Sequence, residues 1–169
     1  MYEIIPPKSN KTAENTSAVL LIISLVAMFF SKLPNLPYRW TMQLASIAML
    51  AVALMLLGRF VFKRYQYLVT VNDVGKYDLV INEITKRSTI TVCRIALSGI
   101  ETTHIVSSSD KSAKDDVRKR RAGRKVFNYC VDMSPAKYCA LFAEECGEKL
   151  LIKISYDKTL LELLGSKEV

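Results

Sequence analysis

Two stretches without a single charged side chain, residues 18–31 and 41–58, restrict this chain more than any other feature. Half of the 169 residues are apolar, yet a quarter are charged, so the apolar excess is concentrated rather than spread. The first run of fourteen residues reaches only about 21 Å as a helix, against a hydrocarbon core of roughly 30 Å. Widened to residues 13–33 it reaches about 31 Å, with Glu14 and Lys32 at its rims. The second, residues 41–62, covers about 33 Å and keeps Gln43 and Arg59 near its ends. A cleaved signal peptide is the competing account of the first run. It lacks a small-x-small cleavage pattern after Phe30, and a second full span follows within a few residues. The expectation is a transmembrane hairpin: a tail over 1–12, spans over 13–33 and 41–62, and an external loop over 34–40.

Positive charge sets the expected direction. The loop region holds Lys32 and Arg39, whereas the flanks hold Lys8, Lys11, Arg59, Lys63 and Arg64. Positive-inside bias then puts both termini in the cytoplasm. Tyr38 and Trp40 suit an outer aromatic belt, and Tyr65 and Tyr67 an inner one. In the cytoplasm the four Cys remain thiols. Ala45, Ala48 and Ala51, with Ser24 and Ala27, supply small residues for contact within the hairpin.

From residue 65 the apolar period falls to two. Strand-like runs occupy 65–71, 78–85, 89–95, 100–106, 125–132, 137–145 and 149–155, separated by turns such as Asp73-Val-Gly75 and Cys146-Gly147. The chain then changes to Asp157-Lys-Thr-Leu-Leu-Glu-Leu-Leu164-Gly165, with an N-cap, four leucines and a terminal Gly. Seven antiparallel strands must close or cover their edges, and a terminal apolar helix can plug the end of a small barrel. The fold class expected is a membrane α-helical hairpin plus a mainly-β domain, a seven-stranded antiparallel barrel capped by a C-terminal helix.

Residues 65–164, through Tyr67-Leu-Val-Thr70, Arg94-Ile-Ala-Leu-Ser-Gly-Ile100 and the closing stretch 150–164, resemble a pleckstrin-homology-like (PH-like) domain. With a hairpin in front, the chain resembles small bacterial membrane proteins of the bacterial PH-like type. The resemblance implies a cytoplasmic module over 63–169 at the inner membrane. It departs from inositide-binding members at the first loop, Asn72–Tyr77, which carries one Lys beside an acidic Asp73.

Catalytic patterns are sparse. His104 is a lone histidine, which by itself meets none of the partner requirements of a catalytic centre. Cys93, Cys130, Cys139 and Cys146 lack the paired spacing of a zinc site and read as small core residues. No catalytic residue, metal ligand or cofactor is expected, and an enzyme is disfavoured. One segment stands apart. Lys111, Lys114, Arg118, Lys119, Arg120, Arg121, Arg124 and Lys125 crowd residues 111–125, in and at the exit of a polar loop over 107–124, against only Asp115 and Asp116 within those fifteen residues. A charge run is often a solvated tip. Its functional alternatives are anionic lipid headgroups first and a protein partner second. Nucleic acid is disfavoured because no aromatic side chain interrupts the run. If the first four strands form one meander, this loop emerges on the membrane side. The sequence thus points to a membrane-anchored, non-catalytic binding or scaffolding module. The alternative is an accessory subunit of a transport or secretion complex, meeting a membrane-protein partner through the hairpin.

Overall fold

The computed structural model describes residues 2–33 and 38–165; part of the expected loop, residues 34–37, and the C-terminal residues 166–169 lie outside that description. The chain forms two units, one of residues 10–63 and one that joins residues 1–9 to residues 64–169.

The smaller unit is a helical hairpin. Helix α1 runs Thr12–Phe30, and α2 runs Arg39–Leu56 before one π-turn over Leu57–Val61. Both helices are long and apolar enough to cross a membrane. Their side chains mostly face outward: Ile22, Leu25, Phe29, Leu44 and Met55 are more than half exposed. The buried positions are small. Ser17, Ser24 and Ser31 recur every seven residues in and just after α1, and Ser46 and Ala53 do so on α2. A seven-residue period keeps one seam facing a neighbouring helix, and small side chains let backbones approach. Each seam serine donates its hydroxyl to the carbonyl three residues earlier, at 2.7–2.9 Å, so no buried O–H is left unpaired. Arg39 Nε donates to the Ser31 carbonyl at 3.0 Å, satisfying an acceptor left over at the end of α1. The expected seam was in part misplaced. Ala45, Ala48 and Ala51 are exposed, because the side of α2 that is buried carries Ser46 and Ala53 instead.

Among the described residues the larger unit holds eight strands in two four-stranded sheets. Strands β1 (Tyr2–Ile4), β2 (Arg64–Val71), β3 (Tyr77–Ile84) and β4 (Thr89–Ala96) form one antiparallel sheet in that order. Strands β5 (Ile100–Ser107), β6 (Lys125–Asn128), β7 (Lys137–Glu145) and β8 (Glu148–Ser155) form the other, in the order β5-β7-β8-β6. Two further helices complete it, α3 (Lys111–Arg120) and α4 (Lys158–Gly165). The seven expected strands are all present, but they do not close one antiparallel barrel. An eighth strand, β1, lies outside the expected domain, and β6 is short and pairs parallel to β8. The expected meander ends at β4, where a turn over Leu97–Gly99 carries the chain into the second sheet. Gly99 suits that close approach, since a Cβ would sit 3.0 Å from the Glu144 carbonyl oxygen and push the two backbones apart.

The sheets share one core. Tyr65, Tyr67, Val69, Leu79, Ile81 and Ile95 come from the first, and Ile100, Cys139, Leu141, Ile152 and Ile154 from the second. Leu160 and Leu164 of α4 complete it, as the i, i+4 spacing of an amphipathic helix requires. Tyr67 ties the layers together: its hydroxyl donates to the Tyr129 carbonyl at 2.9 Å and accepts from the Ser155 amide at 3.0 Å. Tyr65 and Tyr67 are therefore core residues, not an interfacial belt. The alternation of β2 points them inward, where an aromatic side chain buries the most apolar area.

The N-terminal tail is also part of this core unit. Tyr2, Glu3 and Ile4 pair with Val69, Leu68 and Tyr67. The Tyr2 hydroxyl donates to Asp157 Oδ1 at 2.8 Å, and Ser9 donates its amide and hydroxyl to the buried Asp132 carboxylate. Asp157 simultaneously caps α4, accepting from the Leu160 amide at 2.8 Å.

Candidate cationic surface

The basic stretch expected to be a loop is for the most part a helix. Asp110 caps it, accepting from the Ala113 amide at 3.0 Å, and Ala113 and Val117, four residues apart, form its apolar stripe. Val117 is buried against Val106, Ala140, Phe142 and Leu151, so α3 is packed on the second sheet through a small cluster separate from the main core. That stripe is two residues wide, too narrow for hydrophobic periodicity to reveal among eight cations. The N-cap Asp110 was the available signal.

Packing divides the eight basic residues into two sets. Lys114 donates to the Ser108 carbonyl, and Lys125 pairs with Glu148. Arg124 is the most deeply placed: its side chain is 14 % exposed, Nη2 donates to Glu101 Oε2 at 2.8 Å, and the guanidinium lies 5.2 Å from the Phe142 ring centre. Its Nη1 is buried without a hydrogen-bond acceptor, facing a setting in which the aromatic face is the compensating partner. Arg120 meets Asp116 at 3.4 Å and lies 3.3 Å from His104 Nε2. These four residues hold the helix and the following turn in place. The side chains of Lys111, Arg118, Lys119 and Arg121 are exposed and make no hydrogen bond or ion pair among the described residues.

His104 stands edge-on to Phe142, with ring centres 5.5 Å apart, and serves this packing. The thiols are placed in three environments. Cys130 and Cys139 are buried and Cys93 is half-buried, whereas Cys146 is exposed, contrary to the core position expected for it. Cys146 and Gly147 form the two-residue turn between β7 and β8, both with positive φ, and a turn tip faces solvent. Burial pushes the Cys139 thiol up to about 12 and the Cys93 thiol up to about 11, with the Glu145 carboxylate adding to the latter. Such thiols stay protonated near neutrality and are poor nucleophiles. Burial likewise raises Tyr67 and Tyr138. Among the described residues no three His, Cys, Asp or Glu side chains gather as a metal site. The chemistry this surface offers is anion recognition: four free cations on an ordered helix and its C-cap, held by four others that are already paired. Comparison with protein-family models, with curated proteins and with solved structures finds no match for this chain.

Proposed function

We propose that this protein is a membrane-anchored, non-catalytic binding module, in which an apolar hairpin tethers a PH-like domain at the cytoplasmic face of a cell membrane. The observation that carries the reading is the division of labour on α3. Lys111, Arg118, Lys119 and Arg121 are ordered by packing yet uncompensated, in a chain that also carries two exposed apolar helices. Anionic lipid headgroups are the ligand such a surface fits, at about 1 kcal/mol or less per cation near the bilayer. The pairing of β1 with β2 supports the hairpin over a cleaved leader, because cleavage after α1 would remove β1 from its sheet.

The test uses the full chain in lipid nanodiscs. An environment-sensitive fluorophore is placed on a cysteine introduced at exposed Ser112, in a Cys146→Ser background. Emission should shift to the blue in anionic but not in neutral nanodiscs, revert with salt as screening shortens the electrostatic range, and stay unshifted in Arg118→Ser/Lys119→Ser/Arg121→Ser. Equal emission in both lipids, or a shift that ignores salt, would remove the lipid role of α3.

A further inference from the structure

The junction between the N-terminal strap and the sheet encloses a recess of about 200 Å³, lined by Ile5, Pro6, Pro7, Lys8, Arg64 and Val131. Its backbone frame is held on both sides. Pro6 and Pro7 have their φ angles set by their rings. The strap is fastened on one side by the β1–β2 pairing and on the other by Ser9 on Asp132. Arg64 opens β2 opposite Ile84, and the Val131 amide donates to Ser155 Oγ at 3.0 Å. A backbone frame already in place lowers the ordering cost of binding. Two of its six lining residues are cationic and the other four are apolar. Asp132, the carboxylate next to Val131, accepts from the Ser9 amide and hydroxyl.

From this arrangement we infer that the recess is a binding site for the phosphodiester headgroup of an acidic phospholipid. Lys8 and Arg64 take the phosphate, and Ile5, Pro6, Pro7 and Val131 take the glycerol and the first methylenes. The inference rests on the membrane-anchored reading, which supplies the ligand. Lys8 precedes α1 by four residues and Arg64 follows the last helical turn at Val61 by three, so both cations flank the spans in the chain. A soluble anion would make no use of the apolar walls. The recess is distinct from α3: no residue of the cationic helix lines it.

Native mass spectrometry of the full chain tests it, after incubation in mild detergent with equimolar phosphatidylcholine and phosphatidylglycerol. Wild type should retain one phosphatidylglycerol. Retention should fall about tenfold in Arg64→Gln and in Lys8→Gln, the loss expected when one charged hydrogen bond is removed. It should recover in Arg64→Lys and be unchanged in Lys86→Gln/Arg87→Gln, an exposed cationic pair in the turn between β3 and β4 that lines neither the recess nor α3. A thermal melt of each variant checks folding, and retention is compared only among variants that melt as wild type does. Displacement of the lipid by glycerol phosphate at equal concentration would make this a soluble-phosphate site and overturn the lipid assignment. Retention that ignores Lys8 and Arg64, or no retention at all, would overturn the site itself. Failure of the underlying reading shows separately, as a chain that alkaline carbonate washes from membranes.

Discussion

At Cys146 the chain adopts φ 52°, a left-handed conformation that costs a β-carbon residue about 1 kcal/mol and that Asn tolerates better. Cys146→Asn should therefore raise stability by about 0.5–1 kcal/mol, read as a higher urea midpoint with unchanged slope. The same exposure makes Cys146 the first thiol to react with iodoacetamide in the native protein, with Cys130 and Cys139 reacting only on unfolding. Cys139 also predicts a pH dependence. Its thiol is raised in the fold from 9.0 to about 12, so the unfolded chain loses the proton first. The stabilisation is complete below the unfolded value and is lost as pH rises through the folded one. The urea midpoint should fall above pH 9.0, and less steeply in Cys139→Ala. In α4, Leu160 is 1 % exposed and Leu163 39 %. Leu160→Ala should cost about 2–5 kcal/mol and Leu163→Ala far less, by thermal or urea unfolding. The four leucines announced an amphipathic helix, but only the phase of the helix distinguishes buried Leu160 and Leu164 from partly exposed Leu161. A thiol carries no such pattern, so the sequence left Cys146 indistinguishable from its buried counterparts.

Elements with a long period were legible, and those made by a few tertiary contacts were not. All seven expected strands follow from alternation over at least four residues. β1 has three, and Tyr2-Glu3-Ile4 alternates too briefly to stand out without its partner β2. Closure into a barrel was expected because free edges need cover, but the chain forms two stacked sheets around a shared core. Helix α3 is the instructive case. Its composition argues for a solvated loop, and its order depends on the fit of Ala113 and Val117 against the second sheet. Val117→Asp would bury an unpaired carboxylate without altering one cation. It should release α3 from the sheet, seen as faster tryptic cleavage at Arg118–Arg121, while the main-core melt stays near that of wild type. Equal cleavage rates in both proteins would show that α3 is held by its ion pairs instead.

Across the whole molecule, one strand pairing constrains the topology. Tyr2 lies opposite Val69, so residues 2–9 and the strands after α2 belong to one unit, and on the two-span reading they lie on one side of the bilayer. Any membrane crossing between them must occur an even number of times, and two apolar helices supply two. On that reading the sheet pairing keeps β1 and the larger unit on a shared side, and the charge bias is the argument for which side. Lys8, Lys11, Arg59, Lys63 and Arg64 outnumber Lys32 and Arg39, which favours the cytoplasm for the domain. Trypsin separates the two statements in sealed vesicles of opposite orientation. Cleavage at Arg118–Arg121 should occur only in inside-out vesicles, and cleavage at Lys32 or Arg39 only in right-side-out ones. The opposite pattern would reverse the orientation and leave the hairpin intact. Cleavage of both regions from the same face would end the two-span reading, because no arrangement with β1 in its sheet puts the helix connection and α3 on one side of a bilayer crossed twice.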